Sequence, residues 1–410
     1  MEAINQADTA WLLVSTALVM LMTPGLALFY GGMVSEKNVL SSTMHSFIAL
    51  GVITLQWVAI GYSLAFGSDV GGGFIGGLEY AFLNGVGLEP QEGSTIPHIL
   101  FMAFQMMFAI ITPALISGAI AERMKFSAYL LFILLWATLV YDPICHWVWG
   151  PDGWLGARGA LDFAGGTVVH LSSGVAALMC ALVIGRRRRP GPPHNLTLTL
   201  IGAGLLWFGW FGFNAGSALA ANGIAALALV NTHLCAGTAA FAWAIAEWLK
   251  QGKPTALGVA SGLVAGLVVI TPAAGFVSPT ASVVMGLAAG IVCYGAVLAK
   301  NKFGYDDALD AFGIHGVGGA LGAILTGALA SAAWGGTDGL LHGNSVLFIE
   351  NIIGVVAAAI YSFVVTFVIL KAIDVTIGLR VSDDEESEGL DTNLHGEEGY
   401  HMGGSGALVE

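Results

Sequence analysis

The chain has 410 residues, of which 56% are hydrophobic and only 10% charged, against about 25% charged in soluble domains. That balance excludes a soluble protein with a single anchor and indicates a polytopic membrane protein. The net charge of −13 says little about partners, because Asp383, Asp384, Glu385, Glu386 and Glu388 crowd into the tail after Arg380.

No basic n-region precedes the first apolar stretch, near Ala10, so no cleavable signal peptide is expected. Stretches of about 20 apolar residues, each long enough to cross a bilayer, predict eleven spans. They lie near 9–32, 39–66, 96–120, 126–146, 162–185, 197–217, 223–248, 256–274, 279–300, 309–332 and 347–373. The 58 glycines suit close helix packing in lipid. Basic residues follow the odd spans: Lys37, Arg123 and Lys125, Arg186 to Arg189, Lys250 and Lys253, Lys300 and Lys302, then Lys371 and Arg380. Only Arg158 falls on the other side. The positive-inside bias therefore places the N-terminus outside and the C-terminus in the cytoplasm. The arginine run reads as a topology determinant and lipid-headgroup contact, and gives no support for nucleic-acid binding. Residues 1–380 form the membrane domain, 381–402 a cytoplasmic tail, and 403–410 (Gly-Gly-Ser-Gly-Ala-Leu-Val-Glu) read as a cloning scar.

Two histidines inside apolar spans carry the strongest chemical signal: His170 in the fifth and His315 in the tenth. An ionisable group at membrane depth usually faces the protein interior and marks a substrate or proton path. Their positions match if spans 1–5 and 6–10 are inverted repeats, an arrangement that places the path between the halves. Each follows an aspartate, Asp162 and Asp310. Asp162 opens its span before two glycines and reads as a helix cap, with an indirect electrostatic effect at the outer mouth. His45 and His233 read as structural.

Aromatics collect toward the outer end: Phe104 and Phe108, His146-Trp147-Val148-Trp149, and Phe211 and Phe213 beside Asn214 and Ser217. They fit an interfacial belt or a cation-selecting cage, since a ring face attracts a small cation by about 0.5–2 kcal/mol; spacing alone leaves both open. Cys145, Cys180, Cys235 and Cys293 show no paired spacing. No nucleophile–base pair or metal-ligand cluster is apparent, so neither enzyme chemistry nor a cofactor is expected.

Four motifs carry a resemblance: Asp162-Phe-Ala-Gly-Gly-Thr-Val-Val-His170, Gly209-Trp-Phe-Gly-Phe-Asn-Ala-Gly-Ser217, Phe312-Gly-Ile-His315-Gly-Val and Gly389-Leu-Asp-Thr-Asn-Leu-His-Gly-Glu397. Over essentially its whole length the chain resembles the ammonium transporter (Amt) family of prokaryotic type. The resemblance implies an all-α fold of eleven helices with an inverted five-plus-five repeat, and a homotrimer with one pore per subunit. By resemblance, Phe108, Trp149 and Ser217 match an outer ammonium-recruitment site, Phe108 and Phe213 a stacked gate, and His170 and His315 twin histidines lining an apolar pore. Asp162 matches the aspartate supporting the outer site. Trp149 and Ser217 argue against the Rhesus-type branch. The family also implies a location in the inner (plasma) membrane, electrogenic transport with a separate proton route, and regulation through the tail by a cytoplasmic PII-type signalling protein. A second reading is an ammonium sensor of the same fold.

Overall fold

The computed structural model describes residues 4–400. The segment 403–410 and the last two residues of the 381–402 tail lie outside the described residues. With no water in the bilayer to satisfy backbone groups, a spanning chain must satisfy them within each segment, and helices do so. The described residues contain helices and no strand beyond three isolated bridges.

Ten helices among the described residues are long and apolar enough to cross a membrane: α1 (Gln6–Gly31), α2 (Glu36–Phe66), α3 (His98–Ile120), α4 (Phe126–Ala157), α5 (Gly166–Ile184), α6 (Leu196–Ala215), α7 (Gly223–Gln251), α9 (Pro279–Phe303), α10 (Phe312–Leu329) and α11 (Ser345–Thr376). Between α7 and α9 lies α8 (Ala256–Ile270), apolar but only 15 residues long. This is shorter than the 256–274 span read from hydropathy. Pro272 lacks the N–H that would continue the helix. Beyond the helix end the side-chain amide of Asn231 donates to the carbonyls of Ala274 and Val277, at 2.9 and 2.8 Å. The fifth span also starts later than residue 162, because Asp162 precedes the helix that its carboxylate caps.

α1 packs against α6, and α7 against α8 and α9. α5 and α10 meet at the centre, where the backbones almost touch: a Cβ on Gly174 would lie 2.0 Å from the Gly316 nitrogen. No residue but glycine fits there.

At one end of the bundle a buried arginine ties three connections together. Arg123 donates to the carbonyls of Ala119 (2.7 Å), Ala121 (3.1 Å), Gly185 (2.9 Å) and Asp306 (2.6 Å). Beside it, Arg187 pairs with Glu122 and Asp306, each at 2.9 Å. The tail docks on this same end. Its helix α12 (Asp383–Glu388) begins with a reciprocal Ser382–Glu385 cap, and its acids meet Arg188 and Arg380. The Asp391 carboxylate accepts from the Leu40 and Ser41 N–H groups at 3.0 and 2.7 Å, capping the start of α2. Asp383, Glu386 and Asp391 of the tail are thus paired with arginines or helix N–H groups of the bundle.

Burial disfavours ionised Asp306, but the Arg187 hydrogen bonds and charge outweigh it and hold the carboxyl at about 2. An unfolded aspartate titrates near about 3.9, so the folded state binds fewer protons between the two values. The pair's contribution is therefore present above pH about 4 and is lost as pH falls toward about 2. The melting temperature in detergent is expected to fall across that window, and Arg187→Met is expected to flatten the fall. An identical acid profile in both proteins would show that the pair contributes nothing.

Candidate functional site

At the end opposite the tail, a vestibule opens between α3, α4 and α6. Phe101, Gln105, Phe108, Trp149, Phe163 and Ser217 line it. The Ser217 hydroxyl donates to the Phe213 carbonyl at 2.8 Å, which spends its hydrogen and leaves its lone pairs to accept from a solute. The Trp149 indole N–H donates to the Asp162 carbonyl at 2.8 Å, which fixes the ring, and Phe108 meets that ring edge-on at 6.1 Å. The Gln105 side-chain oxygen is buried and has no partner. The vestibule thus offers ring faces and unpaired acceptors, a lining suited to a small cation with N–H donors.

The floor of the vestibule is a pair of stacked rings. Phe108 and Phe213 lie 4.1 Å apart at 25°, both buried. Beyond them is a narrow cavity walled by Met22, Leu26, Ile111, Leu115, Leu206 and Val264, with His170 and His315 as its polar groups. It leaves about 10 Å³ for the centre of a water-sized particle, room for about one. Any solute passing here has shed its hydration shell.

The two histidines touch. Their Nδ1 atoms are 3.3 Å apart and the rings lie nearly parallel, at 18°. A hydrogen bond between like nitrogens needs one donor and one acceptor, so a single proton sits between them. His170 stacks on Trp210 at 5.2 Å, and the Trp210 indole is itself fixed by Thr271 at 2.9 Å.

Local chain geometry sets these positions. π turns at Gly166–Leu171, Phe211–Ala215 and Phe312–Gly316 carry His170, Phe213 and His315; such turns recur at functional sites. The Asp162 carboxylate accepts from the N–H groups of Gly165, Gly166, Thr167 and Val168 at 2.7–3.1 Å. It is fully engaged with its own helix start. In the second half the matching residue is Asp307, not Asp310. Asp307 accepts from Ala311 and Phe312 at 3.1 and 2.8 Å, while Asp310 pairs with Lys300. The spacing carries the signal, since Asp162 and Asp307 each stand eight residues before their histidine and Asp310 only five.

The other aromatics divide. Phe104 packs behind Phe108 at 5.0 Å. Phe211 turns away toward His233. Trp147 donates to the Phe74 carbonyl, and His146 lies against Asp69 at 3.4 Å; neither lines the vestibule. His45 is buried against Tyr129, whereas His233 is exposed and stacked on Trp207 at 5.1 Å. Gln105, Phe101, Phe163 and Trp210 were not singled out from sequence. Gln105 and Phe101 stand three and seven residues before Phe108, and Trp210 three before Phe213, so helical spacing alone could have placed them on the same faces.

The Ammonium Transporter Family matches residues 10–400. An ammonium transporter of Bacillus subtilis is 53% identical over 402 residues, covering 97% of this chain and 99% of that protein. The crystal structure of Saccharomyces cerevisiae Mep2 superposes with a TM-score of 0.88 at 37% identity, covering 93% of this chain and 88% of that one. A solved protein described as a sensor Amt protein superposes with a TM-score of 0.89 at 28% identity, over 95% and 98% of the two chains. A many-span membrane protein with a vestibule, a stacked ring pair and an apolar cavity beyond it has the architecture of a transporter. The chain belongs to the Ammonium Transporter Family, a family of transporters and not of enzymes.

Asp307→Ala leaves two helix N–H groups without an acceptor, a loss of about 0.5–2 kcal/mol for a cap. Asp310→Ala removes a partly exposed ion pair of about 0–1 kcal/mol. Thermal unfolding in detergent is expected to show the larger drop for Asp307→Ala; the reverse order would contradict the assignment.

Proposed function

We propose that the protein is an ammonium transporter that captures the cation in the vestibule, strips one proton from it, and passes neutral ammonia through the histidine-lined pore. The observation that carries this reading is the sequence of environments along one axis. Cation-attracting rings and the Ser217 acceptor come first, then the closed Phe108–Phe213 stack, then an apolar cavity whose polar groups are His170 and His315. A bare charge in that cavity would be costly. Ammonia is neutral, and each imidazole can donate to it or accept from it. Potassium has no proton to lose and stays out, although its size is similar. The proton released at the vestibule crosses separately, which makes transport electrogenic.

The proposed orientation puts the vestibule outside and the tail in the cytoplasm, in the inner (plasma) membrane, because Lys37, Arg123 and the arginine run gather at the tail end. A homotrimer is supported by His233. It lies ten residues into α7, about 15 Å along the helix and so near mid-bilayer, yet it is exposed in the single chain. A neighbouring copy would cover it. The tail, docked across Lys37–Ser41 and Arg188, is the surface through which a PII-type signalling protein would act. The second reading, a sensor role, rests on the likeness to the sensor Amt protein.

Ser217→Ala and Trp149→Leu are expected to raise the ammonium concentration for half-maximal transport while sparing the maximal rate; equal loss at all concentrations would contradict the recruitment role. An ammonium pulse on proteoliposomes is expected to give a saturable current that potassium does not give. His170→Ala or His315→Ala should reduce that current or admit potassium. Unchanged current and selectivity in both variants would refute the pore role, and a wild type without any ammonium flux would favour the sensor.

A further inference from the structure

A second ionisable group sits in the membrane away from the pore. Asp142, in α4, is fully buried. Among the described residues its carboxyl receives one hydrogen bond, from the Gln56 amide of α2 to Oδ2 at 2.6 Å. Asp142 Oδ1 and Gln56 Oε1 are both buried and both lack a partner. Asp162, by contrast, has four N–H donors. Both unpaired atoms of the Asp142–Gln56 pair are acceptors, so what the pair lacks is a donor hydrogen. Reversing the Gln56 amide changes nothing, because it would set two oxygens 2.6 Å apart, a contact that also requires a proton between them. A buried carboxylate with one neutral donor and no opposite charge beside it is disfavoured.

The surroundings are built for this pair. Five π turns interrupt the spans among the described residues. Three carry Phe213, His170 and His315; the other two are Trp57–Gly61, starting directly after Gln56, and Ala137–Tyr141, ending directly before Asp142. Gly61 leaves the niche that the Gln56 amide occupies, since a Cβ there would fall 2.6 Å from Oε1. The other polar neighbours are Thr138, 3.2 Å from the Gln56 nitrogen, the buried Tyr141, and the buried Cys145, which lies in electrostatic range of Asp142 and Asp162. One turn further along α4, the His146 ring is turned to other groups, with Nδ1 on the Ala65 carbonyl at 3.0 Å and Nε2 3.4 Å from Asp69.

We infer that Asp142 is a proton-holding residue of the membrane domain, carried as the neutral acid against Gln56. Its part in transport, to hold the proton that ammonium gives up outside the pore, rests on the proton-separating reading above.

Difference infrared spectroscopy of the full-length protein in lipid vesicles tests this. A protonated carboxyl stretch is expected in the wild type, shifted in D₂O, shifted again by Gln56→Leu and absent from Asp142→Asn. The charge moved per ammonia conducted is expected to fall in Asp142→Asn and to recover in Asp142→Glu. No carboxyl band assignable to Asp142, a band unmoved by D₂O, or an unchanged ratio in Asp142→Asn would each overturn the inference. If Asp142→Asn does not fold, the Gln56→Leu shift and the D₂O shift in the wild type still decide it. A wild type that conducts ammonia with no charge would overturn the proton-separating reading and Asp142's part in it; the band would still report whether the residue holds a proton.

Discussion

The crossing of α5 and α10 is the contact on which the rest of the site depends. The Gly174 and Gly316 backbones meet with no room for a Cβ, and that closeness lets His170 and His315 share a hydrogen bond. π turns on both helices aim the histidines at one line. Asp162 and Asp307 satisfy the N–H groups that these helix starts leave free. The paired histidines are thus a product of backbone geometry and capping, and they sit inside walls that offer no other polar group.

Those walls explain the division of labour in the proposed mechanism. The vestibule can stabilise a charge through ring faces and the Ser217 and Gln105 acceptors; the cavity beyond Phe213 cannot. In the proposed mechanism a cation would meet its barrier beyond the stacked phenylalanines, and losing a proton before them would remove the charge. Asp142 would add an acid in the same half of the membrane but outside the pore, so a proton can be held without placing charge in the ammonia path.

Hydropathy and charge were enough to read an all-helical bundle, because each span must be apolar over its whole length. The α8 boundary was not readable from hydropathy: Thr271 to Ala274 continue the apolar stretch, but Pro272 ends the helix, and Asn231, 43 residues before Ala274, satisfies a buried carbonyl of the turn that follows. His170, Phe213, Ser217 and His315 lie in the motifs quoted from the sequence, Phe108 and Trp149 outside them; the structure places Phe108, Trp149 and Ser217 around the vestibule and Phe213, His170 and His315 around the cavity beyond it. Asp310 misled because it lies nearer to His315 in sequence; the π turn shifts the capping position back to Asp307. Asp142 went unnoticed because its significance lies in what it lacks, a second hydrogen-bond donor, and only three-dimensional packing shows that.

The requirement that ammonium shed a proton before the pore is tested most directly by measuring the ammonium-driven current in H₂O and in D₂O, in the same proteoliposome preparation. If deprotonation gates entry, the current should slow in D₂O by clearly more than the change in solvent viscosity. A current that follows viscosity alone would mean that the intact cation crosses, and the histidine-lined cavity would need another explanation.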